Sequence, residues 1–101
     1  MENTEQLWVQ ALAAGDRQAF RNLYNRYWKS IYVAANRFLK SPEMAKEVVV
    51  DVFSAVWHKH KQFADVKALQ RFLIDTSRDA IFARLKKIAE QWVEARGEKH
   101  K

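Results

Sequence analysis

The chain has 101 residues, enough for one hydrophobic core and too few for two, so we expect a single domain over residues 1–101. It contains no cysteine, which excludes disulfides and thiolate metal sites and fits a reducing cytoplasm. Two glycines and one proline leave little turn chemistry for a sheet, so the expected fold class is all-α.

The net charge of +6 lies mainly in the second half of the chain. Residues 1–57 hold 7 basic and 6 acidic side chains, whereas residues 58–101 hold 11 basic and 6 acidic ones. Such an excess favours a polyanionic partner, although solvated lysines and arginines that serve solubility are the commoner reason for positive charge. The N-terminus is acidic and no apolar run reaches membrane-spanning length, so we expect a cytoplasmic protein without membrane insertion.

Capping residues and apolar spacing predict a short first helix and a long second one. Asn3 or Thr4 can begin the first helix, and Gly15 can end it. Asp16 can cap a second helix that runs to about Lys40, with a core-facing stripe at three- and four-residue spacing. The stripe consists of Phe20, Leu23, Tyr24, Tyr27, Ile31, Ala34, Ala35 and Phe38.

A third helix is predicted to begin at Ser41 and Pro42 and to end near His60. Serine is a favoured N-cap and proline fits the first helical turn, so these two residues mark the sharpest boundary in the sequence. One side of the helix is apolar and predicts a face toward the core. It carries Ala45, Val48, Val49, Val52 and Val56.

A second stripe on the third helix combines two carboxylates, a valine, a small hydroxyl and an indole. This acid–indole ridge comprises Glu47, Val50, Asp51, Ser54 and Trp57. A helix that only supports the fold normally carries Lys, Glu and Gln on its outer face. The ridge is therefore a candidate surface for a basic, partly apolar protein partner. The alternative interpretation is that the core extends around the helix to include Val50 and Trp57.

A connection over residues 61–66 leads to a fourth helix. Asp65 is a candidate N-cap, and Phe63 is either a hydrophobic plug over the helix ends or an exposed stacking group. The helix should run from Val66 to about Arg96, with Gly97 as its stop and residues 97–101 as a frayed tail. Its predicted core stripe is Leu69, Phe72, Leu73, Thr76, Ala80 and Ala83. We expect a compact three-helix core with a short additional N-terminal helix.

Enzymatic chemistry is not expected from this sequence, and neither a metal nor another cofactor is expected. His58 and His60 are two residues apart and lie on different sides of a helix end, and Ala55 and Trp57 stand where a di-iron site needs glutamates. The zinc, phosphate-loop and nucleophile-elbow motifs are absent from the sequence. These two histidines and His100 are expected to be solvated.

Three residue patterns, each at a consistent spacing, together resemble the pattern of a known protein family. The first is Gly15-Asp16, Ala19-Phe20, Leu23-Tyr24, Tyr27, Ile31-Tyr32 and Ala35. The second is Ala45, Glu47-Val48-Val49, Asp51-Val52-Phe53 and Trp57. The third is Phe72-Leu73, Arg78, Leu85 and Lys86-Lys87. With these patterns the chain, over about residues 7–87, resembles region 2 of the extracytoplasmic-function group of bacterial RNA polymerase sigma factors.

The resemblance implies a module for transcription initiation that binds RNA polymerase and recognises and melts the promoter minus-ten element. It assigns the acid–indole ridge to the clamp helices of the polymerase β′ subunit. It assigns the non-template DNA strand, with a flipped base, to the connection and the start of the fourth helix. The implied DNA-binding residues are Lys61, Phe63, Lys67, Arg71, Asp75, Arg78 and Asp79. An anti-sigma protein is a further partner that the resemblance implies.

Several positions depart from the family pattern. Val50 replaces a usual glutamine, Lys46 stands where an acid is common, and Ala83 replaces a frequent aspartate. Asp79 stands where asparagine is usual, and an acid there repels phosphate but can accept from a cytosine amino group. The family's second, helix-turn-helix domain is not expected within these residues. The alternative is therefore a sigma-like protein-interaction bundle that binds polymerase or an anti-sigma protein without reading DNA.

Overall fold

The computed structural model describes residues 4–95, and within that range all regular secondary structure is helical. The elements are α1 (Thr4–Ala13), α2 (Arg17–Leu39), α3 (Pro42–His58), a single 3-10 turn (His60–Gln62) and α4 (Val66–Ala95). The all-α prediction is confirmed, and α3 ends two residues before the predicted His60. The predicted stop at Gly97 and the tail 97–101 lie outside the described residues.

The predicted N-caps fix where α2, α3 and α4 begin. The side chains of Asp16, Ser41 and Asp65 accept hydrogen bonds from backbone N–H groups two or three residues further along, at 2.9, 3.2 and 2.9 Å respectively. Each bond satisfies one of the donors that a helix start leaves without an intrahelical acceptor. Pro42 occupies the first turn of α3, as its fixed φ favours.

Two residues with positive φ end α1 and α2. Gly15 has φ 89 and follows α1, where a glycine avoids the steric cost of this conformation. Lys40 has φ 53 and donates its backbone N–H to the carbonyl of Asn36 at 2.8 Å. A lysine gave no sequence signal for a left-handed cap, because glycine or asparagine usually fills that position.

The core lies where α2, α3 and α4 meet, and α1 packs across one end of it. Seven of the larger core side chains are each less than 2% exposed: Val9, Leu12, Leu23, Val48, Val52, Val56 and Leu69. α3 is the central helix, since its entire predicted apolar side is buried and it packs against both α2 and α4. Each such side chain stabilises the fold by roughly 1.5–3 kcal/mol relative to exposure.

The predicted core stripes are partly wrong on the two longest helices. Phe38 on α2 and Ala83 on α4 are exposed, whereas Ile81 is buried. α4 has 30 residues, and its apolar positions drift around the helix axis along its length. They therefore do not stay on the one side that packs against the core. From Ala89 to Ala95 every residue is exposed, so the end of α4 projects beyond the bundle. Within residues 4–95, no helix has the length and apolarity needed to cross a bilayer.

Candidate protein-binding and nucleic-acid interfaces

The acid–indole ridge lies on the side of α3 that faces away from the core. Glu47, Val50, Asp51 and Ser54 are exposed, while the positions between them are buried. Val50 is 61% exposed, which excludes the interpretation that it belongs to the core. The structure therefore brings four of the five predicted ridge residues together on one accessible strip of helix.

Arg84 of α4 bridges the two acids of the ridge. Its Nη2 lies 2.7 Å from Oδ2 of Asp51, and its Nε lies 3.4 Å from Oε1 of Glu47. Its Nη1 also donates to the carbonyl of Ala80 at 3.3 Å. The side chain is only 21% exposed and forms part of the α3–α4 contact.

The Arg84 contacts orient the acids without hiding them. The side chains of Asp51 and Glu47 remain 53% and 63% exposed, so a cation on a partner can still reach both carboxylates. Such exposed pairs contribute up to about 1 kcal/mol to stability, less in high salt. The ridge therefore combines held carboxylates with an uncovered apolar side chain, Val50.

Trp57 lies at one end of the ridge and is half-buried. It therefore belongs in part to the accessible ridge and in part to an extension of the core around the helix. Its ring packs edge-on against Phe20 with centroids 5.4 Å apart and lies parallel to His60 at 4.6 Å. The Arg17 guanidinium lies 6.0 Å above the indole, a cation–π distance. The indole is therefore held at a fixed orientation between α2 and the 3-10 turn.

The prediction of solvated histidines holds for one residue and is wrong for another. His60 is partly buried, stacked on Trp57, with Nδ1 2.6 Å from the Trp57 carbonyl oxygen. His58 is exposed and its Nδ1 lies 3.1 Å from the carbonyl oxygen of Ser54. His100 lies outside the described residues. Among residues 4–95, no three His, Cys, Asp or Glu side chains form a group that could hold a metal ion.

Phe63, an implied DNA contact, is inside the protein. It is 7% exposed and packs edge-on against Phe72 with centroids 5.1 Å apart. Of the two interpretations of Phe63, the structure favours the hydrophobic plug, and in this conformation its ring is not accessible for stacking on a base. The reason is geometric: the loop after the 3-10 turn must cover the apolar ends of α3 and α4.

The other implied DNA-binding residues are accessible on α4 and before it. Lys67, Arg71 and Arg78 are exposed and recur at three- or four-residue multiples, so they lie along one strip about 16 Å long. Lys61 is exposed in the 3-10 turn that precedes the strip. We call Lys67, Arg71 and Arg78 the cationic strip.

The cationic strip is partly neutralised at its far end. Nη2 of Arg78 lies 3.1 Å from Oδ1 of Asp75, an i,i+3 ion pair that the sequence analysis did not anticipate. Asp79 is exposed beside them. Two acids and one arginine therefore share this turn of α4, and its charge toward a phosphate backbone is weaker than the number of cations indicates.

Side chains from α1 and α2 hold the start of α4 in place. The amide oxygen of Gln6 accepts from the backbone N–H of Val66 at 3.1 Å. Gln70 donates to the hydroxyl oxygen of Tyr27 at 3.0 Å, and that hydroxyl donates to Glu5 at 2.8 Å. Burial raises the pKa of the Tyr27 phenol, and the neighbouring Glu5 acts in the same direction. The cationic strip is thus anchored to the rest of the bundle.

Comparisons with protein-family models, with curated proteins and with solved structures each found no match to this chain. A function for this chain is therefore inferred from the chemistry and geometry of the described residues, together with the residue patterns of the sequence.

Proposed function

We propose that this chain is a transcription-initiation module of the sigma region 2 type. In this proposal the acid–indole ridge binds the β′ clamp helices of RNA polymerase, and the cationic strip contacts the non-template strand of the minus-ten element. The protein would act in the cytoplasm. The observation that supports the proposal most is the accessible ridge, where acids, Val50 and Trp57 occupy one face of α3.

The ridge has the composition and rigidity of a protein-binding surface. An exposed valine and a large aromatic side chain provide apolar area, and two carboxylates provide charge selectivity. Arg84 holds the acids and three neighbouring rings or cations hold Trp57, so few rotamers remain to be frozen when a partner binds. Lower ordering cost leaves more of the contact energy for affinity.

The cationic strip has the charge and the length to contact a nucleic-acid backbone. Its three cations are spread along the first four turns of α4 and meet a backbone through phosphate contacts with counterion release. Phe63 and Phe72 support the adjacent loop from inside. In this proposal the loop forms a pocket for a base that has left the stack of its neighbours. Unstacking that base costs a few kcal/mol.

A second candidate function is a protein-interaction bundle that binds polymerase or an anti-sigma protein without reading DNA. Two observations favour it: Asp75 pairs with Arg78, and Phe63 is buried instead of exposed for stacking. Both reduce the chemistry available for nucleic acid while leaving the ridge unchanged.

The test of the ridge is binding to a β′ clamp-helix fragment, measured by calorimetry. Asp51→Lys and Trp57→Ala should each weaken binding by about tenfold or more, which corresponds to about 1.4 kcal/mol. Glu90→Lys is the matched control, because Glu90 is an exposed acid on α4 and lies outside the ridge. Urea unfolding should show that all three variants remain folded.

Unchanged affinity in both ridge variants, or an equal loss with Glu90→Lys, would contradict the proposed face. Binding of a labelled single-stranded minus-ten oligonucleotide then separates the two functions. No binding at low salt, with clamp binding intact, would favour the protein-interaction bundle.

A further inference from the structure

An apolar groove runs between α2 and α4, on a side of the molecule that the proposed function does not use for polymerase. Its volume is about 610 Å³. The walls are formed mainly by apolar side chains: Ile31, Ala34, Phe38, Ile74, Ile81 and Phe82. Both helices contribute, so the groove is a feature of the packed bundle and not of one helix.

Three large side chains stand open to solvent along this groove. Phe38, Ile74 and Phe82 are 58%, 61% and 58% exposed. Single exposed apolar residues are normal on a protein surface, whereas several that line one concavity are typical of a binding site. The two rings and the isoleucine line the same groove, so an apolar occupant that fills it would cover all three together.

The banks of the groove are positively charged on both sides. Arg78 is the only charged residue among the described residues that line it. Arg71, exposed and three residues before Ile74, extends the α4 bank. On the α2 bank, a shallow depression shares two lining residues with the groove and carries Lys29 and Arg37.

Asp79 is exposed on the turn of α4 that carries Arg78, whereas Asp75 and Glu5 are already engaged in ion pairs. Asp75 pairs with Arg78, and Glu5 pairs with Arg26, which also belongs to the α2 bank. Lys29, Arg37 and Arg71 take part in no ion pair among residues 4–95 that the structure shows. A partner that brings carboxylates to both banks would therefore meet uncompensated cations.

We propose that this groove binds an amphipathic helix of another protein whose apolar face is flanked by acidic residues. Apolar side chains at three- and four-residue spacing would fill the groove between Phe38, Ile74 and Phe82, and carboxylates on either flank would meet Arg37 and Arg71. A second copy of this chain fits less well, because each copy has a net charge of +6 and would bring cations to a cationic rim. The inference does not depend on the polymerase or DNA proposals.

The test uses a fluorescein-labelled peptide of about sixteen residues, roughly 24 Å long as a helix, which is sufficient to span the groove. Side-chain lactam bridges keep it helical, with leucines at positions i, i+3, i+4 and i+7 and glutamates on the flanks. One control peptide has the same composition with the leucines scrambled, and a second has lysine in place of every glutamate. Fluorescence anisotropy at physiological ionic strength should show at least tenfold tighter binding of the acidic amphipathic peptide than of either control.

Variants of the protein locate the site. Ile74→Glu should weaken binding of the acidic peptide by tenfold or more, and Arg37→Glu by several-fold. Leu7→Glu is the matched control for Ile74, since Leu7 on α1 is also 61% exposed. Arg21→Glu is the control for Arg37, because Arg21 is exposed on α2 and does not line the groove. Circular dichroism should show equal helicity in all four.

Four results would overturn the proposal. Equal binding of the scrambled peptide would mean general attraction of a polyanion, and equal binding of the lysine peptide would mean an apolar surface without charge preference. Unchanged affinity in Ile74→Glu would place the peptide elsewhere. Self-association of the protein that Ile74→Glu abolishes, without peptide binding, would identify a second copy as the occupant.

Discussion

Lys40 carries the only positive φ of a non-glycine residue within residues 4–95. A side chain with a Cβ in the left-handed region costs about 1–2 kcal/mol, and glycine removes that cost but adds unfolded-state entropy. We expect Lys40→Gly to raise the free energy of unfolding by up to about 1 kcal/mol. Urea unfolding measures this change directly.

The control for Lys40→Gly is Lys46→Gly, in the second turn of α3. Lys46 is equally a surface lysine, but its helical conformation gives glycine no advantage, so this variant should lose about 1 kcal/mol. Opposite signs for the two substitutions would attribute the gain to the cap. A loss of stability in both would mean that the Lys40 side chain contributes more than its backbone conformation costs.

Residues that act on their own neighbours were predictable from the sequence. The caps at Asp16, Ser41 and Asp65 follow from hydrogen bonds within three residues, and the sequence contains all the information they need. Arg84 was not predictable, because its partners Asp51 and Glu47 lie more than thirty residues away on another helix. Only the crossing of α3 and α4 brings these three together.

At the scale of the helix, α4 has two functions in one sequence, since its inner side completes the core and its outer side carries the cationic strip. Arg78→Ala should weaken binding to a minus-ten single strand and reduce the slope of log K against log salt by about 0.7, one phosphate on a single strand. Asp75→Asn should have the opposite effect, because it frees Arg78 from its ion pair. Titration of a labelled oligonucleotide over a range of salt concentrations measures both.

Lys46→Ala is the control for this titration, because it removes one exposed cation from α3 and leaves the cationic strip intact. Its salt slope should stay at the wild-type value. An unchanged slope in Arg78→Ala would show that Arg78 serves only its pair with Asp75, and it would favour the function without DNA reading.

The sequence predicts where the helices lie along the chain, but it predicts only in part which side of each helix is buried. Apolar spacing on α3 predicts its buried side correctly, since a helix of 17 residues keeps one seam against its neighbours. On α2 and α4 the same reasoning assigns Phe38 and Ala83 to the core, and both are exposed. Leu39 is buried and Leu85 packs against the core, so both helices still contact the bundle there with a different side turned inward. A periodic pattern does not show how that side changes along a long helix.

At the scale of the whole molecule, the ridge lies on α3, whereas the cationic strip and the groove adjoin each other on α4, where Arg78 belongs to both. The ridge could be predicted because all its residues lie on α3, whose core side is clear in the sequence. The groove could not, because Phe38 and Ile74 are 36 positions apart in the sequence and meet only when α2 packs beside α4. A surface formed by one helix can thus be predicted from the periodicity of the sequence, whereas a surface formed between two helices can be identified only from the structure.

The hydrogen-bond network around Tyr27 joins α1, α2 and α4 and makes the stability of the whole bundle depend on pH at the alkaline end. Burial first, and Glu5 second, raise the pKa of the Tyr27 phenol above its ordinary value of 10.0, and the bond from Gln70 opposes this in part. The folded state therefore keeps this proton to higher pH than the unfolded state does. Its contribution is complete below pH 10 and is lost as pH rises through the folded-state pKa.

We expect the free energy of unfolding to fall as pH rises above about 10, and to fall less steeply in Tyr27→Phe, which has no proton to lose. The substitution also removes the hydrogen bonds to Glu5 and Gln70, so it should be less stable than the wild type near neutral pH. The two unfolding curves must therefore converge as pH rises. Parallel curves over that range would show that the Tyr27 phenol titrates alike in the folded and unfolded chains, and that its bonds hold α1 to α4 without any linkage to pH.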